Sequence, residues 1–362
     1  MVTEIKNENV LAAISKVKDP ALNKSLVSAF LVRDIAIEGE KVSLTLVLIS
    51  PEHPFKEQMV EELKTAILGI EGVKEAKINS VVEVPTDAKV QNKNDTKIKN
   101  VIAVASGKGG VGKSTVSVNI AVALAKTGVK VGLMDADLYG PNIPIMMGVE
   151  RLAANPSEEG RISPAEAHGV KMISIGFMVP PDQPIVWRGP MLHTAIRQFI
   201  EDVDWGEIDY LVVDLPPGTG DTQLSLAQTL SVTGSVIVTL PQQVSLDDAR
   251  RGLEMFRQLQ IPIFGVVENM SYLEMPDGER VDVFGAGGGE KMAEEADVPF
   301  MGAIPMDPAI RKGGDSGMPI VLSRPDSVVS KVITEIAYQT ALRSSVLAIK
   351  NQSGSIPINI VG

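Results

Sequence analysis

The segment Ser106-Gly107-Lys108-Gly109-Gly110-Val111-Gly112-Lys113-Ser114-Thr115 concentrates glycine, lysine and hydroxyl side chains in the order that phosphate binding demands. Its glycines let successive backbone N–H groups turn inward on phosphate oxygens, and a helix starting at the end of the loop would add its positive N-terminus. Lys113 is placed to reach the β- and γ-phosphates of a nucleotide, and the Ser114 hydroxyl to hold Mg²⁺. The expected occupant is MgATP or MgGTP, cradled by residues 107–115. Lys108 adds a second cation to the loop, and its charge repels Lys113 unless further negative charge is supplied.

Other polar groups follow apolar runs further along the chain. In Asp135-Ala136-Asp137 one carboxylate could support the Mg²⁺ shell while the other orients an attacking water, although the same pair could simply cap the next turn. Tyr210-Leu211-Val212-Val213-Asp214 reads as a buried strand whose terminal carboxylate meets Mg²⁺ through water. Leu215-Pro216-Pro217-Gly218-Thr219-Gly220-Asp221 then supplies a segment able to sense a γ-phosphate, with the Gly218 N–H free to approach closely. Asn269, at the end of the run Val266-Val267-Glu268, offers donor and acceptor to the edge of a purine, and reads equally as a turn residue. Ile304-Pro305-Met306-Asp307-Pro308 would line the other side of the base.

These groups need a scaffold that brings strand ends together. From residue 101 onward apolar runs alternate with helical patterns, with strands expected at 101–105, 130–134, 171–175, 210–213, 235–240, 263–267 and 300–303. That alternation predicts an α/β fold: a mostly parallel, doubly wound sheet with ligands outside the carboxyl ends of its strands. Residues 1–85 read as a small α+β domain, with a helical stripe at Val10, Leu11, Ile14 and Val17, strands at 31–37 and 42–49, a helix from about Pro54 and a strand at 73–84. Residues 86–100 read as a polar linker, 101–343 as the sheet domain, and 344–362 as a tail without an apolar stripe.

Composition narrows the function. With 362 residues and 44% hydrophobic content, the chain can bury sizeable cores. Its 34 basic against 45 acidic residues give a formal charge of −11, which argues against nucleic acid as a main partner, since such binding rests on neutralising phosphates. No run is long enough to span a bilayer, and residues 1–8 lack the apolar stretch of a signal peptide, so no membrane partner and a cytoplasmic location are expected. There is no cysteine, and His53, His168 and His193 show no metal-ligand spacing.

The loop with its two lysines resembles the deviant Walker loop of the MinD, ParA and nitrogenase iron-protein class. The resemblance implies a homodimer in which Lys108 crosses to the partner's nucleotide, Asp137 as the switch residue that positions water, and Asn269 as the reader of adenine. The chain as a whole resembles the Mrp/ApbC family of iron–sulfur cluster carrier ATPases. The resemblance rests on residues 107–115, Asp135-Ala136-Asp137-Leu138-Tyr139-Gly140-Pro141-Asn142-Ile143-Pro144, Trp187-Arg188-Gly189-Pro190-Met191, 214–221, 265–272 and Gly313-Gly314-Asp315-Ser316-Gly317. The first domain, with Val17-Lys18-Asp19-Pro20, looks like the SufT/PaaD-type domain often fused to such proteins.

That family implies a slow, Mg²⁺-dependent ATPase, with Lys108, Lys113 and Asp137 catalytic and with Ser114, Asp137 and Asp214 around the metal, acting with iron–sulfur assembly or recipient proteins. One departure falls on the chemistry. Cluster-carrying members usually place Cys-x-x-Cys shortly after the Asn-Met-Ser segment, whereas here Met275 falls about where the first cysteine belongs and Asp277 or Gly278 replaces the second. A thioether and a carboxylate cannot reproduce four-thiolate ligation. Three functions remain open: a cluster-assembly ATPase whose thiolates come from a partner or are replaced by His53 and the carboxylates of 274–279, an ATP-driven switch with a protein cargo, and a ParA- or MinD-like positioning ATPase.

Overall fold

The computed structural model describes residues 5–91, 97–137, 140–149, 160–178, 189–275 and 277–352. The chain divides between Pro85 and Thr86 into two compact units.

Alternation builds the first unit. Val42, Leu44, Leu46 and Leu48 are buried at every second position of one strand, the period that turns one face of a sheet toward a core. Its elements are α1 (Asn7–Ile14), β1 (Lys18–Asp19), β2 (Lys24–Ser25), β3 (Val32–Glu38), β4 (Lys41–Leu48), α2 (Lys56–Leu68) and β5 (Glu75–Val82). β4 pairs antiparallel with β3 and parallel with β5, and β1 with β2 forms a separate two-residue ladder. Met59, Leu63 and Ile67 of α2 and Val10 and Ile14 of α1 are buried at helical spacing.

Continuous apolar runs build the second unit, because its central strands are covered on both faces. Every residue of 101–105 and 210–214 is buried, and β6 (Ile98–Ala105), β7 (Val131–Asp135) and β10 (Ile208–Asp214) are buried almost throughout. The other elements, in chain order, are α3 (Ala88–Gln91), α4 (Lys113–Ala125), α5 (Ile143–Met146), β8 (Ala165–Ala167), β9 (Val170–Ser174), α6 (Gly189–Glu201), α7 (Asp221–Thr229), β11 (Gly234–Thr239), α8 (Gln243–Gln258), β12 (Ile263–Glu268), β13 (Leu273–Glu274), β14 (Arg280–Val281), α9 (Gly288–Glu295), β15 (Phe300–Ala303), α10 (Pro308–Asp315), α11 (Ile320–Ser323) and α12 (Val328–Gln352).

The sheet order is β15-β12-β11-β6-β10-β7-β9-β8, parallel except for β8 at the edge. From β6 the chain crosses past β10 to β7, and from β10 it returns past β6 to β11. The winding therefore reverses around β6 and β10, and a crevice opens at their carboxyl ends.

Two expected boundaries change. The linker expected over 86–100 already contains α3 and the start of β6, and the tail expected from 344 is helical as far as Gln352. The end of α12 is tied to the start of the unit, with Asn351 Nδ2 donating to Asp87 Oδ1 at 3.0 Å and Gln352 Nε2 to the Thr86 carbonyl at 2.6 Å. The C-terminal part of this helix escapes detection by apolar periodicity because, beyond Ala337, its buried face is built from Thr340, Ala341, Ser344, Ser345 and Ala348. Its hydroxyls are satisfied locally: Thr340 Oγ1 donates to the Ile336 carbonyl at 2.7 Å, and Ser345 Oγ shares a hydrogen bond with Tyr210 Oη at 3.0 Å. The expected signals at Leu138, Tyr139, Trp187, Arg188 and 353–362 lie outside the described residues.

Candidate functional site

Residues 106–112 link the end of β6 to the start of α4. Gly110 and Gly112 take φ of +81° and +84°, the left-handed region that glycine enters without steric cost. No side chain caps α4, which leaves the amides of its first turn open to an anion. At Gly107 a Cβ would lie 2.1 Å from the Asp248 carbonyl carbon, so the loop rests directly on the backbone of α8. Gly107→Ala should therefore cost about 1–3 kcal/mol of stability. An unchanged thermal unfolding midpoint would contradict this close approach.

The side chains expected to act on phosphate converge. Lys113 is almost wholly buried, and its Nζ lies 2.8 Å from Asp214 Oδ2 and 3.4 Å from Asp137 Oδ2. Burial works against the ammonium, but the charges of Asp214 and Asp137 outweigh it and hold the pKa above the ordinary lysine value. Ser114 Oγ donates to Asp214 Oδ2 at 2.6 Å, and Ser117 Oγ donates to Oδ1 at 2.6 Å. Asp214 thus holds three donors, and Ser114 Oγ, which accepts only a long 3.5 Å contact from Lys113 Nζ, has a lone pair to offer a cation. Ser117 escaped the sequence reading; it lies one helical turn beyond Lys113, on the same face of α4.

The two carboxylates after β7 separate by environment. Asp137 lines the same cavity as Lys108, Lys113 and Ser114, a space of about 320 Å³. Asp135 is fully buried, accepts from Ser174 Oγ at 2.8 Å and from the Asp137 amide at 3.2 Å, and is pushed up to about 8 by burial and by the charge of Asp214. Asp135 therefore braces the turn from within the core, while Asp137 faces the cavity.

On the far side of the cavity, the Gly218 amide donates to the Ser106 carbonyl at 3.0 Å, which lays the proline-rich segment against the loop. Lys108 is half-buried on the cavity wall and forms no ion pair with any described residue. Asn269 Nδ2 donates to the Val111 carbonyl at 2.8 Å, which leaves its Oδ1 to accept from a ligand. Asn269 opens on a second, mostly apolar cavity of about 630 Å³ that also touches Thr115, Met146, Pro305, Met306 and Asp307. The glycine loop, Lys108, Lys113, Ser114, Asp137 and Asn269 are therefore gathered around adjoining cavities, with Asp214 buried against Lys113 and Ser114.

The loop expected to hold cluster ligands is closed on itself. β13 and β14 pair antiparallel, the Met275 amide donates to the Glu279 carbonyl at 2.8 Å, and Arg280 stacks 4.3 Å from the centre of the Tyr272 ring. His53 is buried in the first unit, with its Nε2 3.4 Å from Asp19 Oδ2 and its Nδ1 accepting from the Phe55 amide at 3.3 Å. Among the described residues no three histidine, aspartate or glutamate side chains are grouped to hold a metal ion.

Known proteins carry the same combination of parts. A family described as NUBPL iron-transfer P-loop NTPase matches residues 97–341, and one described as iron-sulfur cluster assembly protein matches residues 7–79. The iron-sulfur cluster carrier protein of Synechocystis is 49% identical over 351 residues, covering 95% of this chain and 99% of its own length. Its counterpart in Escherichia coli is 38% identical, covering 92% of this chain and 90% of its own. Among solved structures, a nucleotide-binding protein of Archaeoglobus fulgidus in complex with ADP is 40% identical, with a TM-score of 0.55 over 64% of this chain and 91% of its own. The Aquifex aeolicus MinC:MinD complex matches at 25% identity and a TM-score of 0.50, over 73% of this chain and 100% of that one. Matched over most of its length, and with the phosphate loop, the two-unit organisation and the doubly wound sheet in place, the chain belongs to the NUBPL iron-transfer P-loop NTPase family.

Proposed function

We propose that the chain is a slow, Mg²⁺-dependent ATPase that closes as a homodimer and works in iron–sulfur cluster assembly or transfer. The observation that carries this reading is the meeting of Lys113, Ser114, Asp137 and Asp214 at the open end of the glycine loop. In the cycle, the loop amides and Lys113 bind the phosphates, with Lys113 leaving its carboxylate partners for them. Ser114 and Asp214 hold Mg²⁺, which when bound neutralises charge that develops on the phosphates. Asp137 orients water, and Asn269 Oδ1 accepts from the exocyclic amine of adenine, a group that guanine lacks at that position. The ADP complex of the Archaeoglobus relative and the names of the cluster carrier relatives support this assignment.

The cargo is a cluster whose thiolates come from another protein, because this chain has no cysteine. Iron–sulfur assembly or recipient proteins are then its partners, and a cytoplasmic location fits this reading. A second reading, a switch whose cargo is a protein, is favoured by the self-closed β13–β14 hairpin where ligands were expected.

Lys108 forms no ion pair with any described residue and is assigned to the partner's nucleotide. Lys108→Ala should bind ATP yet lose hydrolysis, as should Asp137→Ala. Mixing the two should restore up to about a quarter of wild-type turnover per subunit pair, because a mixed dimer keeps one composite site with both groups intact. Absence of rescue, with mixed dimers demonstrated by differential tagging, would overturn the trans role of Lys108.

A further inference from the structure

We propose that Glu268 is the positioning residue for base recognition, its buried carboxylate clasping both ends of the excursion that leads from the Asn269 turn to α9. This rests on the reading of Asn269 as the base-reading side chain. Glu268 ends β12 and is fully buried. Its Oε1 accepts from Ser271 Oγ at 2.5 Å and from the Gly287 amide at 3.3 Å, and its Oε2 accepts from the Gly289 amide at 2.6 Å. Ser271 lies where the chain leaves the sheet, and Gly287 and Gly289 lie where it returns.

The backbone of the same turn is tied to neighbouring strands. The Asn269 amide donates to the Thr239 carbonyl at 2.8 Å, the Ser271 amide to the Ile304 carbonyl at 3.0 Å, and the Ile304 amide to the Glu268 carbonyl at 2.8 Å. Between these anchors Met270 is held at a φ of +50°, a conformation costly for a non-glycine residue. The Ser271–Glu268 bond pins the far side of that strained residue, and so fixes where Asn269 aims.

The carboxylate also sits at the N-terminus of α9, where negative charge is favoured. A Cβ at Gly289 would lie 3.0 Å from that of Glu268, so the helix approaches closely because glycine stands there. One side chain thus joins the base pocket, the start of the β13–β14 hairpin and α9. A cap that served α9 alone would have no reason to hold Ser271 as well.

Glu268→Gln in the full chain tests this, because an amide keeps the shape but turns N–H groups toward at least one of the three donors. The readouts are the affinities for ADP and for inorganic tripolyphosphate, and the preference for ATP over GTP in competition. The expected result is roughly tenfold weaker ADP binding and loss of most of the adenine preference. Tripolyphosphate affinity should change by less than about twofold, since Lys113 and the loop are untouched. Equal weakening of ADP and tripolyphosphate, or an unchanged preference, would overturn the proposal.

Asn269→Ala runs beside it. If that variant keeps the adenine preference, the base-reading assignment is what fails; if it loses the preference while Glu268→Gln retains it, the clasp fails alone. Should Glu268→Gln not fold, Ser271→Ala removes one donor and leaves both backbone amides on the carboxylate. It should shift the preference in the same direction by a smaller factor, and no shift would overturn the clasp.

Discussion

Replacing Lys113 with alanine should weaken ATP binding by about a thousandfold, the effect of losing a buried charge partner. The lysine lies between Asp214 and Asp137, with Asp135 behind them, and no other cation of the described residues reaches either carboxylate. Without it a triphosphate would meet this acidic group with only backbone amides and Lys108 in opposition. The variant should still fold, because Asp214 keeps the hydroxyls of Ser114 and Ser117 as donors. Titration calorimetry with ATP, beside a thermal scan, separates the two effects. A folded Lys113→Ala protein with wild-type affinity would overturn the site assignment.

The second large effect is an all-or-none one. Anaerobic reconstitution with iron and sulfide, with no added thiol, should leave the chain without a stable [4Fe–4S] cluster. Such clusters are held by cysteine thiolates, and the sequence contains none. Of the other candidate ligands, His53 is enclosed beside Asp19, and a thioether such as that of Met275 is a weak neutral ligand. Adding a cysteine-bearing partner protein should allow cluster to be held or passed on, and Lys113→Ala should then block any step that ATP drives. Recovery of about four iron and four sulfide per dimer, stable to gel filtration with no thiol present, would show that this chain has another way of holding a cluster.

Much of the scaffold was legible because the signals were local. The runs at 101–105 and 210–213 had no polar break, so they read as strands buried on both faces, and they form the centre of the sheet. The glycine and lysine spacing of 106–115 fixed a loop-to-helix turn whose geometry follows from backbone freedom alone. Less legible was the C-terminal part of α12, where beyond Ala337 the buried serines, threonine and alanines carry no hydrophobic stripe for a periodicity argument to find. The short antiparallel edge strand β8 was missed for a similar reason: three residues are too few to show a period.

Residue types and spacing by themselves determined which groups could do chemistry here: a phosphate cradle, two lysines, carboxylates at strand ends, and no thiol. Only the tertiary structure decided how equivalent groups divide their work. Asp135 and Asp137 are indistinguishable as letters, yet the first is buried against Ser174, with its pKa raised by burial and by Asp214, while the second faces Lys113 across the cavity. Asn269 reads equally as a turn residue and as a base reader in the sequence, and only the fold shows its amide holding the Val111 carbonyl of the phosphate loop. Ser117 and Glu268 gave no signal at all, because what they do depends on partners 97 and up to 21 residues away. Burial and long-range partners set the charge, aim and availability of a side chain, and neither quantity is written in local sequence.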